Sequence, residues 1–329
     1  MLRLPPFTYL APKTLKQALV MKADAGPEGM YVAGGTDLYP NMKRRHQEPR
    51  VVISLAGIRS LVKKPAGREM VLGAGLTLTD VASNAKIRKR YPVVARGAEL
   101  ISTPLLRNMG TIGGNLCLDT RCNYYNQTYE WRKAIDFCMK KDGTVCWVAP
   151  SSPRCWAVNS SDTAPVAVVL GASFQLAGPD GERSLPAEQF YNDDGIHYLA
   201  KRPDEILTEV RFPSVNTWDA TYWKLRRRGS FDFPVLGVAV WVKWDSTMIA
   251  DARVVLGAVA SHPKVIPQAA DLVIGTELDD DTIAAAADAA YRPSKPMDNT
   301  DFGLAWRKEM TRVYVAGALR ELRERKQES

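Results

Sequence analysis

The chain has 329 residues, a formal net charge of +8, 46% hydrophobic residues and 24% charged residues. That length supports two domains, each with its own core, and the composition excludes a disordered or collagen-like chain. No apolar run reaches the roughly 18 residues of a transmembrane helix. The start, MLRLPPFTYLAPKTLKQALVMK, lacks the unbroken apolar run and cleavage site of a signal peptide, which predicts a cytoplasmic chain with no membrane partner.

Residues 14–25 show helical spacing after a Thr14 cap. Met30 to Ala33 is a short apolar run entering a Gly-Gly turn, and Val51 to Leu55 and Glu69 to Leu72 read as strands. Thr79 to Ile87 predicts one helix with a Thr-Asp start. Ala164 to Leu170 predicts a helix stopping at Gly171, and Ser173 to Leu176 a strand. The composition shift at Pro213 to Thr217 marks a linker. Beyond it, Leu236 to Val242 and Ile249 to Gly257 alternate like adjacent antiparallel strands. Asp279 to Ala290 and Trp306 to Glu324 read as helices, the second with Met310, Val313, Tyr314, Ala318 and Leu319 as its apolar positions. Short strands, helices and strands again predict an α+β fold rather than one doubly wound sheet.

The basic runs Lys43-Arg44-Arg45, Arg88-Lys89-Arg90 and Arg226-Arg227-Arg228 are short, scattered and offset by acidic residues. They suit a solvated surface or an acidic protein partner, and no nucleic-acid partner is expected.

Two segments have the form that phosphate binding requires: Val32-Ala33-Gly34-Gly35-Thr36-Asp37-Leu38 and Asn108-Met109-Gly110-Thr111-Ile112-Gly113-Gly114-Asn115. Glycines let backbone N–H groups approach an anion, and Thr and Asn side chains add donors. Neither is a Walker A loop or a GxGxxG fingerprint. Two such loops point to a pyrophosphate held from two sides.

In order along the chain come Phe7-x-Tyr9-x-x-Pro12-x-Thr14-Leu15, AGGTDL at 33–38, GAGLTLTD at 73–80 and RNMGTIGGN at 107–115. SDTAP at 161–165, EIL at 205–207, K-x-R at 224–226 and LGAVA at 256–260 follow. This ordered set resembles the FAD-binding (medium) subunit of the molybdenum hydroxylases, the xanthine dehydrogenase and carbon monoxide dehydrogenase family. The resemblance implies a two-part FAD-binding domain of the PCMH or vanillyl-alcohol-oxidase type at residues 1–215, followed by a smaller α+β domain at 216–329. It also implies FAD contacts at Ala33, Gly34, Gly35, Thr36, Asp37, Leu38, Thr111, Gly113, Gly114, Asn115, Asp162, Leu207 and Lys224. Asp162 also suits a helix N-cap before Ala164. A lysine at 224 suits either the surface or a place beside the flavin, where its charge stabilises an anionic reduced ring. No motif for acid–base chemistry on a substrate is present, so no catalytic residue is expected in this chain.

All five cysteines, Cys117, Cys122, Cys138, Cys146 and Cys155, fall between Asn115 and Asp162, which are 47 positions apart where the family has a short segment. Clustered thiols without an export signal point to metal or redox chemistry rather than disulfides. Four thiolates suit zinc or an iron–sulfur cluster. The irregular spacing Cys122-x15-Cys138-x7-Cys146-x8-Cys155, with His46, His197 and His262 all elsewhere, fits a larger cluster better than zinc. Tyr124, Tyr125, Tyr129, Trp131, Phe137, Trp147 and Trp156 crowd the same stretch, either as shielding for a cluster or as the core of an insertion.

The run Asn115-Leu-Cys117-x-Asp119-Thr120-Arg121-Cys122-x-x-Tyr125-Asn126-Gln127 resembles the insertion of the 4-hydroxybenzoyl-CoA reductase β subunit. That resemblance implies an iron–sulfur insertion at 116–160 with Cys122, Cys138, Cys146 and Cys155 holding a [4Fe–4S] cluster, and Cys117 as the spare thiol. It implies a large subunit with the molybdenum cofactor, a small subunit with two [2Fe–2S] clusters, ferredoxin as donor and a dimer of heterotrimers. Electrons then run through the [4Fe–4S] cluster and FAD to molybdenum, for reductive removal of the 4-hydroxy group of an aromatic CoA thioester. Two other readings stay open: a hydroxylase subunit passing electrons outwards to NAD or a quinone, and a zinc-stabilised flavoprotein whose insertion is an interaction module.

Overall fold

The computed structural model describes residues 2–65, 69–214 and 218–328. Residues 215–217 of the expected linker lie outside the described residues.

The chain opens with a small parallel sheet of β1 (Thr8–Leu10), β2 (Gly29–Val32) and β3 (Val51–Ser54), ordered β1-β3-β2. Parallel strands need crossover connections, and the helices Leu15–Ala25 and Leu38–Lys43 lie in those from β1 to β2 and from β2 to β3. Thr14 caps it as expected, its hydroxyl accepting from the Gln17 amide at 3.2 Å. Ala18, Ile53, Ile58 and Leu61 form the small core between the layers.

A second sheet is antiparallel: β4 (Met70–Gly73), β5 (Ser173–Gly178), β6 (Gly181–Pro186) and β7 (Ile206–Phe212), ordered β4-β7-β5-β6. Short helices share its hydrophobic core. The single helix expected over 79–87 is two, Leu78–Ser83 and Ala85–Arg90. Asn84 divides them: its side chain accepts from the Lys86 and Ile87 amides and starts a new helix there. The first of the pair is capped by Thr77 in a reciprocal box with Asp80, not from Thr79. The helix Thr163–Val169 ends just before Gly171, which has φ +65°, a conformation that glycine supplies without strain.

A third sheet, antiparallel and ordered β11-β10-β9-β8, comprises β8 (Trp218–Leu225), β9 (Leu236–Asp245), β10 (Met248–Gly257) and β11 (Lys264–Val265). The two strands expected from alternation are neighbours, with Val240 opposite Val254. Helices Pro267–Val273, Asp280–Tyr291 and Leu304–Gln327 cover one face. In the last helix Val315, Ala318, Leu319 and Leu322 are buried, while Val313, expected in the apolar stripe, is 51% exposed. Ala220, Tyr222, Ala239 and Val255 of the third sheet join the core built on the second. The architecture is the expected α+β arrangement, and this shared core fixes the junction where the glycine loops and the Ser-Asp segment meet.

Candidate cofactor sites

The first glycine loop leaves β2 at Val32 and enters the helix Leu38–Lys43. The second follows the helix Pro104–Arg107 and runs into the helix Ile112–Leu116. They touch. A Cβ on Gly34 would stand 1.9 Å from the Met109 carbonyl oxygen, one on Gly110 would be 3.4 Å from Thr36 Oγ1, and one on Gly114 would be 3.9 Å from Ala33 Cβ. Gly35 has φ +72°, open to glycine without strain. Among the described residues no hydrogen bond takes up the amides of Gly34, Gly35 or Thr36. Thr111 caps its helix by accepting from the Gly114 amide at 3.0 Å.

The segment 73–80 supports the second loop. Gly113 N–H donates to Ala74 O, Ile112 N–H to Leu76 O and Leu78 N–H to Gly110 O, at 2.9, 2.9 and 2.8 Å. Ala74 N–H in turn donates to Thr208 O on β7 at 2.9 Å. Leu207, the neighbour of Thr208, is buried in the core beneath.

Asn115 joins this loop to the Ser-Asp segment. Its Oδ1 accepts from Ser161 Oγ at 2.8 Å, Thr163 Oγ1 at 2.6 Å and the Thr163 amide at 3.2 Å. Ser161 Oγ, not Asp162, accepts from the Ala164 amide, at 3.0 Å. The Asp162 carboxylate faces the other way, accepting from Tyr222 OH and from Lys224 Nζ, both at 2.9 Å. Burial lifts the Asp162 carboxyl above its ordinary range, with Lys224 and Tyr222 pulling against it. Lys224 is not a surface residue: its ammonium also donates to Leu100 O at 3.0 Å and Asp232 O at 2.9 Å. Ser161, Thr163 and Tyr222 were missed in the sequence reading; the first two flank Asp162 in a quoted motif, whereas Tyr222 carried no local signal.

Cys122, Cys138, Cys146 and Cys155 line one narrow cavity of about 10 Å³, with Tyr124, Tyr125, Lys140 and Trp147 around it and no histidine in its wall. All five cysteines are free thiols. Cys146 and Cys155 hydrogen-bond to each other, which lowers the Cys146 thiol and raises that of Cys155. Burial pushes Cys122 up to about 12. Four converging thiols are a donor set of the right chemistry for a metal group, although among the described residues no three His, Cys, Asp or Glu side chains are gathered as one bound ion requires. Of the seven aromatics, Tyr125 is buried, while Tyr129, Trp131 and Trp147 are substantially exposed, so shielding by the whole set is not what the fold shows. Cys117 lies apart, packed against the main core.

The described residues contain no helix long and apolar enough to cross a membrane.

Residues 5–215 match the family model for the FAD binding domain in molybdopterin dehydrogenase, and residues 220–322 match the CO dehydrogenase flavoprotein C-terminal domain. The chain is an FAD-binding medium subunit of the molybdenum hydroxylase family. It is 30% identical over 292 residues to the aldehyde oxidoreductase FAD-binding subunit PaoB of Escherichia coli, covering 85% of this chain and 90% of that one. It is 25% identical over 320 residues to the carbon monoxide dehydrogenase medium chain of Afipia carboxidovorans, 97% of each. The solved CO dehydrogenase from Oligotropha carboxidovorans superposes with a TM-score of 0.80 at 25% identity, covering 98% of this chain and 99% of that one. This medium subunit is therefore an oxidoreductase component that binds FAD, with the two glycine loops meeting in the matched FAD-binding domain.

Proposed function

We propose that this medium subunit carries FAD and a [4Fe–4S] cluster in a molybdenum-containing reductase of the 4-hydroxybenzoyl-CoA reductase kind. The observation that carries this reading is the convergence of four free cysteines on one cavity inside the insertion. Cys122, Cys138, Cys146 and Cys155 would hold the cluster. Ala33 to Leu38, Thr111 and Gly113 to Asn115 would wrap the FAD pyrophosphate, with free loop amides as donors. Leu207 and Lys224 would stand near the ring and Asp162 near the end of the cofactor, with Asp162 and Lys224 already locked to each other. FAD, when bound, supplies exchange of one or two electrons.

The partners in this proposal are a large molybdenum-cofactor subunit, a small subunit with two [2Fe–2S] clusters, and ferredoxin as electron donor, in a dimer of heterotrimers. The substrate would be an aromatic CoA thioester bound on the large subunit and stripped of its 4-hydroxy group. The net charge of +8 would favour an acidic donor protein.

Iron and acid-labile sulfide analysis of the purified chain tests the cluster. About four irons per chain, with an EPR signal of a reduced [4Fe–4S] cluster, supports it; zinc without iron sinks it. Cys138→Ser is expected to remove the iron and retain FAD, and unchanged iron content would show the ligand set to be wrong.

A further inference from the structure

The insertion grips the first glycine loop at both ends of the helix that follows it. Asp37 is the N-cap residue of the helix Leu38–Lys43, yet its carboxylate makes no capping bond. It pairs instead with Arg121 from the insertion. Asn41, one turn along, closes the arrangement: its Nδ2 donates to Asp37 Oδ2 at 3.1 Å and its Oδ1 accepts from Arg121 Nη1 at 3.1 Å. Arg121 is 5% exposed, and its guanidinium also lies 4.9 Å from the Phe233 ring of the C-terminal domain.

At the other end, the fully buried Arg132 donates through Nη2 to Arg44 O at 3.2 Å and Arg45 O at 3.1 Å, the carbonyls just past the helix. The His46 ring is 3.1 Å from Gln127 O, and Gln47 Nε2 donates to Asp119 Oδ2 at 3.1 Å. A six-residue helix has too few internal bonds to hold its own form in water.

We propose that the insertion is a clamp on the FAD loop: Arg121 and Arg132 are positioning residues that hold Leu38–Lys43, and through it Ala33–Asp37, in the form that receives the pyrophosphate. FAD affinity then depends on a folded insertion, whatever the cysteines hold. The proposal goes beyond the cluster reading and does not require it.

The test is a double-mutant cycle on FAD affinity in the full chain, using Asp37→Asn, Arg121→Met and the double variant. Each single change is expected to raise the FAD dissociation constant about tenfold, with the double variant no worse than the weaker single, because the two residues act as one unit. Arg121→Lys is expected to recover part of the loss. Losses that simply add, or an unchanged dissociation constant, overturn the clamp. A direct bond between Asp37 and FAD is distinguished by hydrogen exchange in the FAD-free chain. There Asp37→Asn is expected to quicken exchange of the 38–43 amides several-fold, and unchanged exchange overturns the proposal. Asp37 is part-exposed, so this variant serves even if Arg121→Met does not fold. Iron analysis of the same samples reports on the cluster separately.

Discussion

Lys224 Nζ lies 2.9 Å from Asp162 Oδ2, with the two side chains 1% and 4% exposed. Lys224 is on β8, in the part of the chain that matches the C-terminal domain, whereas Asp162 lies in the part that matches the FAD-binding domain, just before the helix Thr163–Val169, which packs against β9 and β10. The pair is thus an electrostatic tie across the domain junction, completed by Tyr222 OH and two backbone carbonyls. Removing one partner of a buried pair strands the other. Lys224→Met is expected to cost about 3–5 kcal/mol in denaturant unfolding. The double variant Asp162→Asn with Lys224→Met should lose less than the single lysine change, and an equal or larger loss would show that the stranded Asp162 carboxylate is not the source of the cost.

Gly34→Ala addresses the first glycine loop. A methyl group there would meet the Met109 carbonyl, a backbone atom that has no rotamer to escape into. The loops must part. The variant is expected to purify with strongly reduced flavin absorbance while circular dichroism stays close to that of the native chain.

Acid stability turns on Glu205. Its hydrogen bonds with Arg183, at 2.7 and 2.9 Å, are the first cause holding its carboxyl at about 2, down from 4.5. A lowered carboxylate stabilises the fold fully above the unfolded value of 4.5 and loses that contribution as pH falls towards 2. The advantage of the native chain over Arg183→Gln is therefore expected to be constant at neutral pH and to shrink across that window in a series of melts. An advantage that persists at the acid end would contradict the assignment. Arg183 is 41% exposed, so solvent screening keeps the effect modest.

Cys117 should behave unlike the other four thiols. Burial pushes it up to about 11, with Lys201 opposing, so little thiolate is present at neutral pH. On the proposed cluster reading, Cys117→Ser is expected to leave both iron and FAD content unchanged, measured by iron assay and flavin absorbance. Loss of iron would place Cys117 among the ligands.

Local chemistry accounts for what could be read along the chain. Thr14 caps its helix because a hydroxyl at that offset reaches an orphan amide, and the alternation over 236–257 places Val240 and Val254 on one buried face. The same locality explains the misses. The helix over 79–87 broke because Asn84 competes for backbone amides, a choice invisible to apolar spacing. Val313 turned outward because the helix Leu304–Gln327 packs through a stripe set by the sheet beneath it.

The sequence alone determined the two glycine loops, the confinement of the cysteines to residues 117–155 and the α+β character, because glycine content, thiol chemistry and side-chain periodicity are properties of short segments. Tertiary structure alone decided that Gly34 meets Met109, that four cysteines spread over residues 122–155 share one cavity, and that Lys224 is buried against Asp162. It also decided that Arg121 reaches back to Asp37 across more than eighty positions of chain. Such contacts form only when separate segments are folded against each other, and a buried charge then takes whichever partner the packing brings within reach.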